Sequence, residues 1–149
     1  MNLKIHLKTY SNSRGSPNCL IKLNNKELGR YEQITSAELN VDFDVDLLNI
    51  NLLHIIHYGK ARNSTEIVNG TVASDVAIEI MDIKFDGIKI NDNQLWEQSF
   101  FPNWSYDPAP TEPMVFNRFL GFNGTWQLVF PQDYKNWMMS KYQFDRFQK

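Results

Sequence analysis

Alternation of apolar and polar residues is the feature that most limits how this chain can fold. In the stretch AELNVDFDVD, apolar Leu39, Val41 and Phe43 alternate with acidic and amide residues. A period of two residues separates the two faces of an extended strand, so the stretch predicts a half-buried β-strand. The segments MNLKIHL and NCLIKL show the same pattern, whereas INLLHIIHYG is apolar on both faces, which is typical of a central strand.

Loop-forming residues separate these strands. The segments SNSRGSPN, GKARNSTEIVNGTVAS and FPNWSYDPAPTEP are rich in Gly, Pro, Asn or Ser. The chain therefore predicts an all-β fold, an antiparallel jelly-roll-like β-sandwich, in which only PQDYKNWMMSKYQF forms a short C-terminal helix. We expect one domain over residues 1–149, with a core at 1–91 and an aromatic-rich extension at 92–149 that packs on it or on a partner.

The segment SDVAIEIMDIKFDGIKI changes the face of its apolar residues near Ile80-Met81. A β-bulge inserts one residue and produces such a switch, although a strand buried on both faces would show the same pattern. Asp86-Gly87 and Asn24-Asn25 predict hairpin turns. The residues predicted to be buried in the sandwich are Leu39, Val41, Phe43, Ile78, Ile80, Ile83 and Phe85.

Composition and motifs disfavour several classes of function. The 149 residues carry 15 basic and 17 acidic side chains, so no strong charge attracts nucleic acid. No apolar run approaches the roughly 20 residues that span a bilayer, and the single Cys19 cannot form an internal disulfide, which favours synthesis in a reducing cytoplasm. No nucleophile elbow, phosphate loop or zinc motif occurs, so we do not expect an enzyme.

Other polar residues have a structural interpretation. Asp42, Asp44 and Asp46 lie about 7 Å apart along one strand face, whereas calcium needs its oxygen ligands at about 2.3–2.6 Å, so a solvated strand face is favoured. His54 and His57 have odd spacing and fall on opposite faces of a strand. These histidines therefore do not predict a metal pair, and His6 is interpreted as isolated.

Three segments resemble one family of carbohydrate-binding domains. SPNCLIKLNNKELG, LNINLLHIIHYGK and SDVAIEIMDIKFDG are similar to an early hairpin, a central strand and a closing strand of the calcium-dependent xylan-binding modules. The resemblance covers residues 12–90 approximately and implies a jelly roll. It also implies that Asp75 is a calcium ligand, together with carbonyl groups of the preceding loop.

The sequence departs from this family around the implied metal site. Val76-Ala77 follow Asp75 where the family has Arg-Asn, and Tyr58-Gly59-Lys60 replace an amide and an acid after the central strand. The charge of Lys60 would oppose a bound cation. The alternative is that Asp75 caps the loop by accepting backbone N–H groups, without a metal.

A second resemblance covers the whole chain. The segments HYGK, DVAIEIMDIKFDGI and LGFNGTWQLVFPQ resemble virion-associated proteins of large contractile-tailed marine phages. This resemblance implies a bacteriophage structural protein located in the virion, with other virion subunits and cell-surface glycans as partners.

Residues 96–147 contain all four tryptophans. Trp126, Phe119 and Phe130 lie in strand-like runs and are predicted to fill the core. Trp104 and Tyr106 are placed in a proline-rich loop, where exposed rings would contact a sugar or a protein partner. Tyr58, at the end of the central strand, is a further candidate for such contacts.

Two functions from different classes therefore remain. The first is a virion protein that docks on a neighbouring subunit through its aromatic extension and binds glycans. The second is a free-standing calcium-dependent carbohydrate-binding module.

Overall fold

The structure, a computed structural model, describes residues 1–97, 99–104 and 118–139. A short 3-10 turn covers Arg62–Ser64, helix α1 covers Asp92–Glu97, and residues 134–139 form a C-terminal helix, α2. In chain order the strands are β1 (Asn2–Tyr10), β2 (Asn18–Leu23), β3 (Lys26–Tyr31), β4 (Glu38–Asp44), β5 (Ile50–Tyr58), β6 (Glu66–Val68), β7 (Thr71–Ser74), β8 (Ala77–Phe85), β9 (Ile88–Lys89), β10 (Ser99–Trp104), β11 (Phe119–Leu120) and β12 (Gly124–Pro131).

Two antiparallel sheets enclose the hydrophobic core. The first sheet has the strand order β11-β8-β1-β4, with β9 paired to β8, and the second has the order β10-β12-β5-β2-β3. The hairpin β6-β7 forms a separate small sheet. The largest fully buried side chains between the sheets include Trp126, Phe85, Phe101 and Phe130. The predicted antiparallel β-sandwich with a short C-terminal helix is therefore confirmed.

Burial follows the alternation of the sequence in the central strands and weakens at the edges. Leu3, Ile5 and Leu7 of β1 are at most 1% exposed. In β4, Val41 is buried, but Leu39 and Phe43 are only half-buried, so the prediction of full burial was wrong for these two. The reason is that β4 is the last strand of its sheet and has a neighbour on one side only.

The change of face in β8 is a β-bulge. His6 of β1 pairs with Asp82 and Leu7 pairs with Ile80, which leaves Met81 as the extra residue. The bulge allows both halves of β8 to face the core, because Ile78, Ile80, Ile83 and Phe85 are all fully buried. The predicted bulge and the predicted burial of these residues are confirmed.

Three hairpins have two-residue turns in which both backbone φ angles are positive. Asn24 and Asn25 have φ of 52° and 66°, and Asp86 and Gly87 have φ of 49° and 81°, as predicted from their residue types. Asn69 and Gly70, at 52° and 76°, form a third turn of this kind between β6 and β7. These turns fix the register of the strands that they join.

Strands from the aromatic-rich extension are part of the sandwich itself. β12 lies between β10 and β5, and the predicted burial of Trp126 and Phe130 is confirmed at 0% and 1% exposure. Phe119 is only half-buried, which corrects its predicted core position. Trp104 ends a strand rather than lying in a loop, and Pro102 is tolerated because β10 is an edge strand.

Helix α1 was not predicted from the sequence. Its signal is Asn91, whose side-chain oxygen accepts a hydrogen bond from the backbone N–H of Asn93 at 2.9 Å. The helix buries Leu95 completely in the core. Within the described residues, no helix has the length and apolar character required to cross a bilayer.

Candidate functional site

A buried lysine joins three segments at one end of the sandwich. The Nζ atom of Lys60, in the loop after β5, donates to Asp75 Oδ1 at 2.5 Å and to the carbonyl oxygen of Gly121 at 2.6 Å. The side chain of Lys60 is only 7% exposed and that of Asp75 is 19% exposed. We call Lys60, Asp75, Thr65, Gly121 and Asn123 the rim cluster.

Asp75 organises the chain next to it. Its Oδ1 atom accepts a hydrogen bond from Thr65 Oγ1 at 2.8 Å and another from the backbone N–H of Val76 at 2.8 Å. A carboxylate that accepts a nearby backbone N–H can act as a cap, so these contacts favour the capping alternative for Asp75.

The backbone of Lys60 is also held in place. Its N–H donates to Asn123 Oδ1 at 2.8 Å, and its carbonyl oxygen accepts from Asn123 Nδ2 at 2.9 Å. The preceding Gly59 has φ of +72°, and a Cβ atom there would lie 2.8 Å from Asn18 Nδ2. Glycine is therefore required where β5 ends and the loop with Lys60 begins.

His57 supports the rim cluster from inside the core. It is 1% exposed, and its Nδ1 lies 3.0 Å and 3.1 Å from the carbonyl oxygens of Leu120 and Phe122. Burial lowers the pKa of His57 to about 4, and the positive charge of Lys60 acts in the same direction. The imidazole is therefore neutral at pH 7, with Nδ1–H shared between the two carbonyls. His54 points to the opposite face, as predicted, and contacts Gln127.

The residues around Asp75 do not fit the calcium ion that the family resemblance implies. Calcium takes about six to eight oxygen ligands, with carboxylates supplying much of the charge. Among the described residues, no three His, Cys, Asp or Glu side chains are grouped as metal ligands. Moreover, Asp75 Oδ1 already contacts an ammonium group that would repel a cation.

A second cluster lies on the outer face of the first sheet. There a groove with a volume of about 220 Å³ runs across β4, β1 and β8. Its polar lining residues are Lys4, His6, Asn40, Asp42, Asp82 and Lys84. We call this feature the sheet groove.

Strand register brings these polar residues together. His6 lies opposite Asn40 on one side and Asp82 on the other. Its Nε2 is 3.4 Å from a carboxylate oxygen of Glu38, and its Nδ1 is 3.5 Å from one of Asp82. The interpretation of His6 as isolated was therefore wrong, because isolation in sequence does not exclude cross-strand neighbours. Asp42 is exposed on this face, as predicted.

An aromatic pair lies farther along the same face. The rings of Tyr10 and Phe119 have centroids 5.6 Å apart, and both side chains are half-buried. Tyr10 donates its hydroxyl to Glu79 Oε1 at 2.8 Å, and burial together with this carboxylate raises the pKa of Tyr10. Beyond the groove, this face therefore carries partly exposed aromatic surface with a fixed orientation.

Tyr58, one of the predicted contact residues, is not part of the sheet groove. Tyr58 lies on the outer face of the second sheet, where its hydroxyl donates to Glu32 at 2.9 Å and Arg30 stacks 5.5 Å from its ring centroid. The backbone of Trp104 pairs with Gly124, but its side chain and all of Tyr106 lie outside the described residues. Their exposure therefore stays a prediction.

Comparison with solved structures gives two neighbours of the same fold. One is "vCBM60 in complex with galactobiose", with a TM-score of 0.53 and 10% identity, covering 88% of this chain and 98% of that chain. The other is the SeMet form of vCBM60, described in connection with two families of calcium-dependent carbohydrate binding modules. Its TM-score is 0.55 at 9% identity, and the match covers 85% of this chain and 88% of that chain. No family model and no curated protein matches this chain.

These neighbours define the class of fold. The chain has a β-sandwich similar to that of carbohydrate-binding modules, and the similarity extends over both of its sheets and most of its length. At about 10% identity the likeness concerns the fold, whereas function depends on the site residues.

Proposed function

We propose that this chain is a non-catalytic glycan-binding module, and that the sheet groove is its binding site. The observation that carries the proposal is the mixture of hydrogen-bonding groups in one groove, on a sheet face that also carries partly exposed aromatic rings. Binding sites for small polar ligands combine a concave surface with a few well-placed polar groups.

Sugar hydroxyls both donate and accept hydrogen bonds, and the sheet groove contains both donors and acceptors. Lys4 and Lys84 supply ammonium donors, while Asp42 and Asp82 supply carboxylate acceptors. Asn40 provides a donor and an acceptor in one side chain. The rings of Tyr10 and Phe119 add apolar surface that can cover the less polar face of a sugar.

The solved neighbours support a binding function rather than a catalytic one. Both are carbohydrate-binding modules, and one of them was solved with galactobiose. From these neighbours we transfer to this chain only the class of ligand, a glycan. Xylan, the ligand suggested by the family resemblance, is one member of that class to be tested.

A glycan array followed by affinity measurement tests this proposal. Asp82→Ala should weaken binding by at least about tenfold, because it removes a charged hydrogen-bond acceptor worth roughly 1.5 kcal/mol or more. Tyr10→Ala should weaken binding by about two- to tenfold, because an aromatic contact contributes roughly 0.5–1.5 kcal/mol. Tyr58→Ala, on the opposite sheet, is the matched control and should bind normally. If Tyr58→Ala loses binding while the groove variants keep it, the site lies on the other face.

We also propose that the module is attached to a neighbouring subunit of a phage virion. The hairpin β6-β7 supports a protein contact, because Ile67, Val68 and Val72 are 63%, 49% and 58% exposed and lie outside the hydrophobic core. Exposed apolar groups that cluster in this way are typical of interaction surfaces.

The aromatic segment around Trp104 and Tyr106 would contribute to the same attachment. Trp104→Ala should leave the isolated chain folded and weaken its binding to virion subunits, since truncation of an interfacial Trp commonly costs over about 2 kcal/mol. Pull-down of assembled particles with wild type and variant measures this. Unfolding of Trp104→Ala would place the residue in the core instead.

The alternative function is a free-standing calcium-dependent module, of the kind with which the SeMet neighbour is described. It requires Asp75 to be a metal ligand. Calcium would then raise the melting temperature of wild type but not of Asp75→Ala, because a ligand stabilises only the state that binds it.

A further inference from the structure

The rim cluster contains a positive charge that belongs to the protein itself. The Lys60 ammonium is almost completely buried and contacts a carboxylate and a backbone carbonyl. Buried lysines are uncommon unless they are paired, because removing the charge from water is costly. The fold therefore retains this lysine through specific contacts rather than through general packing.

The contacts of Lys60 connect segments that are distant in the sequence. Asp75 lies 15 residues from Lys60, and Gly121 lies 61 residues away. One ammonium group thus links the loop after β5, the junction between β7 and β8 and the turn before β12. A Cβ atom at Gly121 would lie 3.3 Å from Asp75 Oδ2, so the turn passes close to the carboxylate as well.

A cation that bridges a carboxylate and carbonyl oxygens performs the structural task of a bound metal ion. Lysine suits this task because its ammonium is a compact point charge with three donors. A divalent ion bound to Asp75 would lie beside this ammonium, and the two positive charges would repel each other. The ammonium therefore opposes a calcium ion at Asp75.

We propose that Lys60 is the resident cation of the rim cluster, which holds this end of the sandwich together and makes the fold independent of calcium. The proposal does not depend on glycan binding or on virion attachment. Its test uses the folding stability of the chain, so a failure of the proposed function would not affect it.

Thermal melting with calcium and with EDTA tests the proposal. Wild type should melt at the same temperature in both. Lys60→Met, which keeps the length of the side chain, should lower the melting temperature by roughly 5–10 °C, because Asp75 loses its partner in a partly buried position. Lys26→Met is the matched control, since Lys26 is exposed, and should melt like wild type.

A double variant separates the charge from the packing of the lysine stem. Lys60→Met/Asp75→Asn should recover part of the loss, because no unpaired carboxylate remains. No recovery, or no loss in Lys60→Met, would overturn the proposal. So would a calcium-dependent rise in the wild-type melting temperature that Asp75→Asn abolishes. Should Lys60→Met fail to fold, the melting temperatures of the double variant and of wild type with calcium still test the proposal.

Discussion

Deletion of Met81 should be tolerated, although it removes a residue from the middle of a strand in the core. Met81 is the extra residue of the β8 bulge, and its neighbours Ile80 and Asp82 already pair with consecutive residues of β1. Without Met81, the strand alternates regularly and Ile78, Ile80, Ile83 and Phe85 still face the core. The side chain of Met81 is only half-buried, so we expect a loss below about 1 kcal/mol.

Deletion of Lys84 in the same strand is the matched control. It places Phe85 directly after Ile83 and turns the Phe85 ring towards solvent. Phe85 is fully buried and lies 4.6 Å from Phe130 between ring centroids. Its burial contributes about 1.5–3 kcal/mol and the aromatic pair about 0.5–1.5 kcal/mol, so the deletion should cost roughly 2–4.5 kcal/mol.

Equilibrium urea unfolding, followed by tryptophan fluorescence, compares the two deletions. With an m-value of about 2 kcal/mol/M, deletion of Lys84 lowers the midpoint by roughly 1–2 M. Deletion of Met81 should shift it by less than about 0.5 M. Equal losses in the two variants would refute the bulge argument, because they would show that β8 does not tolerate regular pairing with β1.

Three further predictions concern buried side chains. The pKa of His57 is lowered from 6.5 to about 4, so between these pH values the unfolded chain binds more protons than the folded chain. The free energy of unfolding should therefore fall by about 3 kcal/mol as the pH drops from 6.5 to 4. Urea unfolding at a series of pH values should show this decrease, and His57→Gln should lack it. Burial raises the pKa of the Cys19 thiol to about 12, so a thiol reagent should modify Cys19 only after unfolding; rapid modification of the native chain would contradict its burial. Trp126→Ala should lose about 3–5 kcal/mol in urea unfolding because the side chain is fully buried, whereas the neighbouring Gln127→Ala should lose far less.

The local features of the fold could be predicted because each depends on a short run of residues. Alternation predicted β1, β4 and β8, and turn residues predicted the hairpins at Asn24-Asn25 and Asp86-Gly87. The errors at Leu39 and Phe43 have a different origin. Their alternation is correct, but the position of a strand within its sheet, which limits their burial, depends on the whole topology.

The candidate sites could be predicted only in part, since they depend on contacts between distant segments. The sequence indicated that Lys60 opposes a cation at Asp75, but not that their side chains pair or that Gly121 contributes a carbonyl. The sheet groove could not be predicted, because His6 meets Glu38 and Asp82 only when β4 and β8 are placed on either side of β1.

The edge strands have a consequence for the behaviour of many copies at high concentration. An open edge offers unpaired backbone groups to the strands of another molecule and so promotes aggregation. In β10, Pro102 lacks a backbone N–H, and the register shifts beside it. Two other edge strands carry exposed charged residues, which are Lys26 and Arg30 in β3 and Asp42 and Asp44 in β4. These edges discourage strand addition, so copies crowded together should remain separate folded units instead of forming continuous sheets.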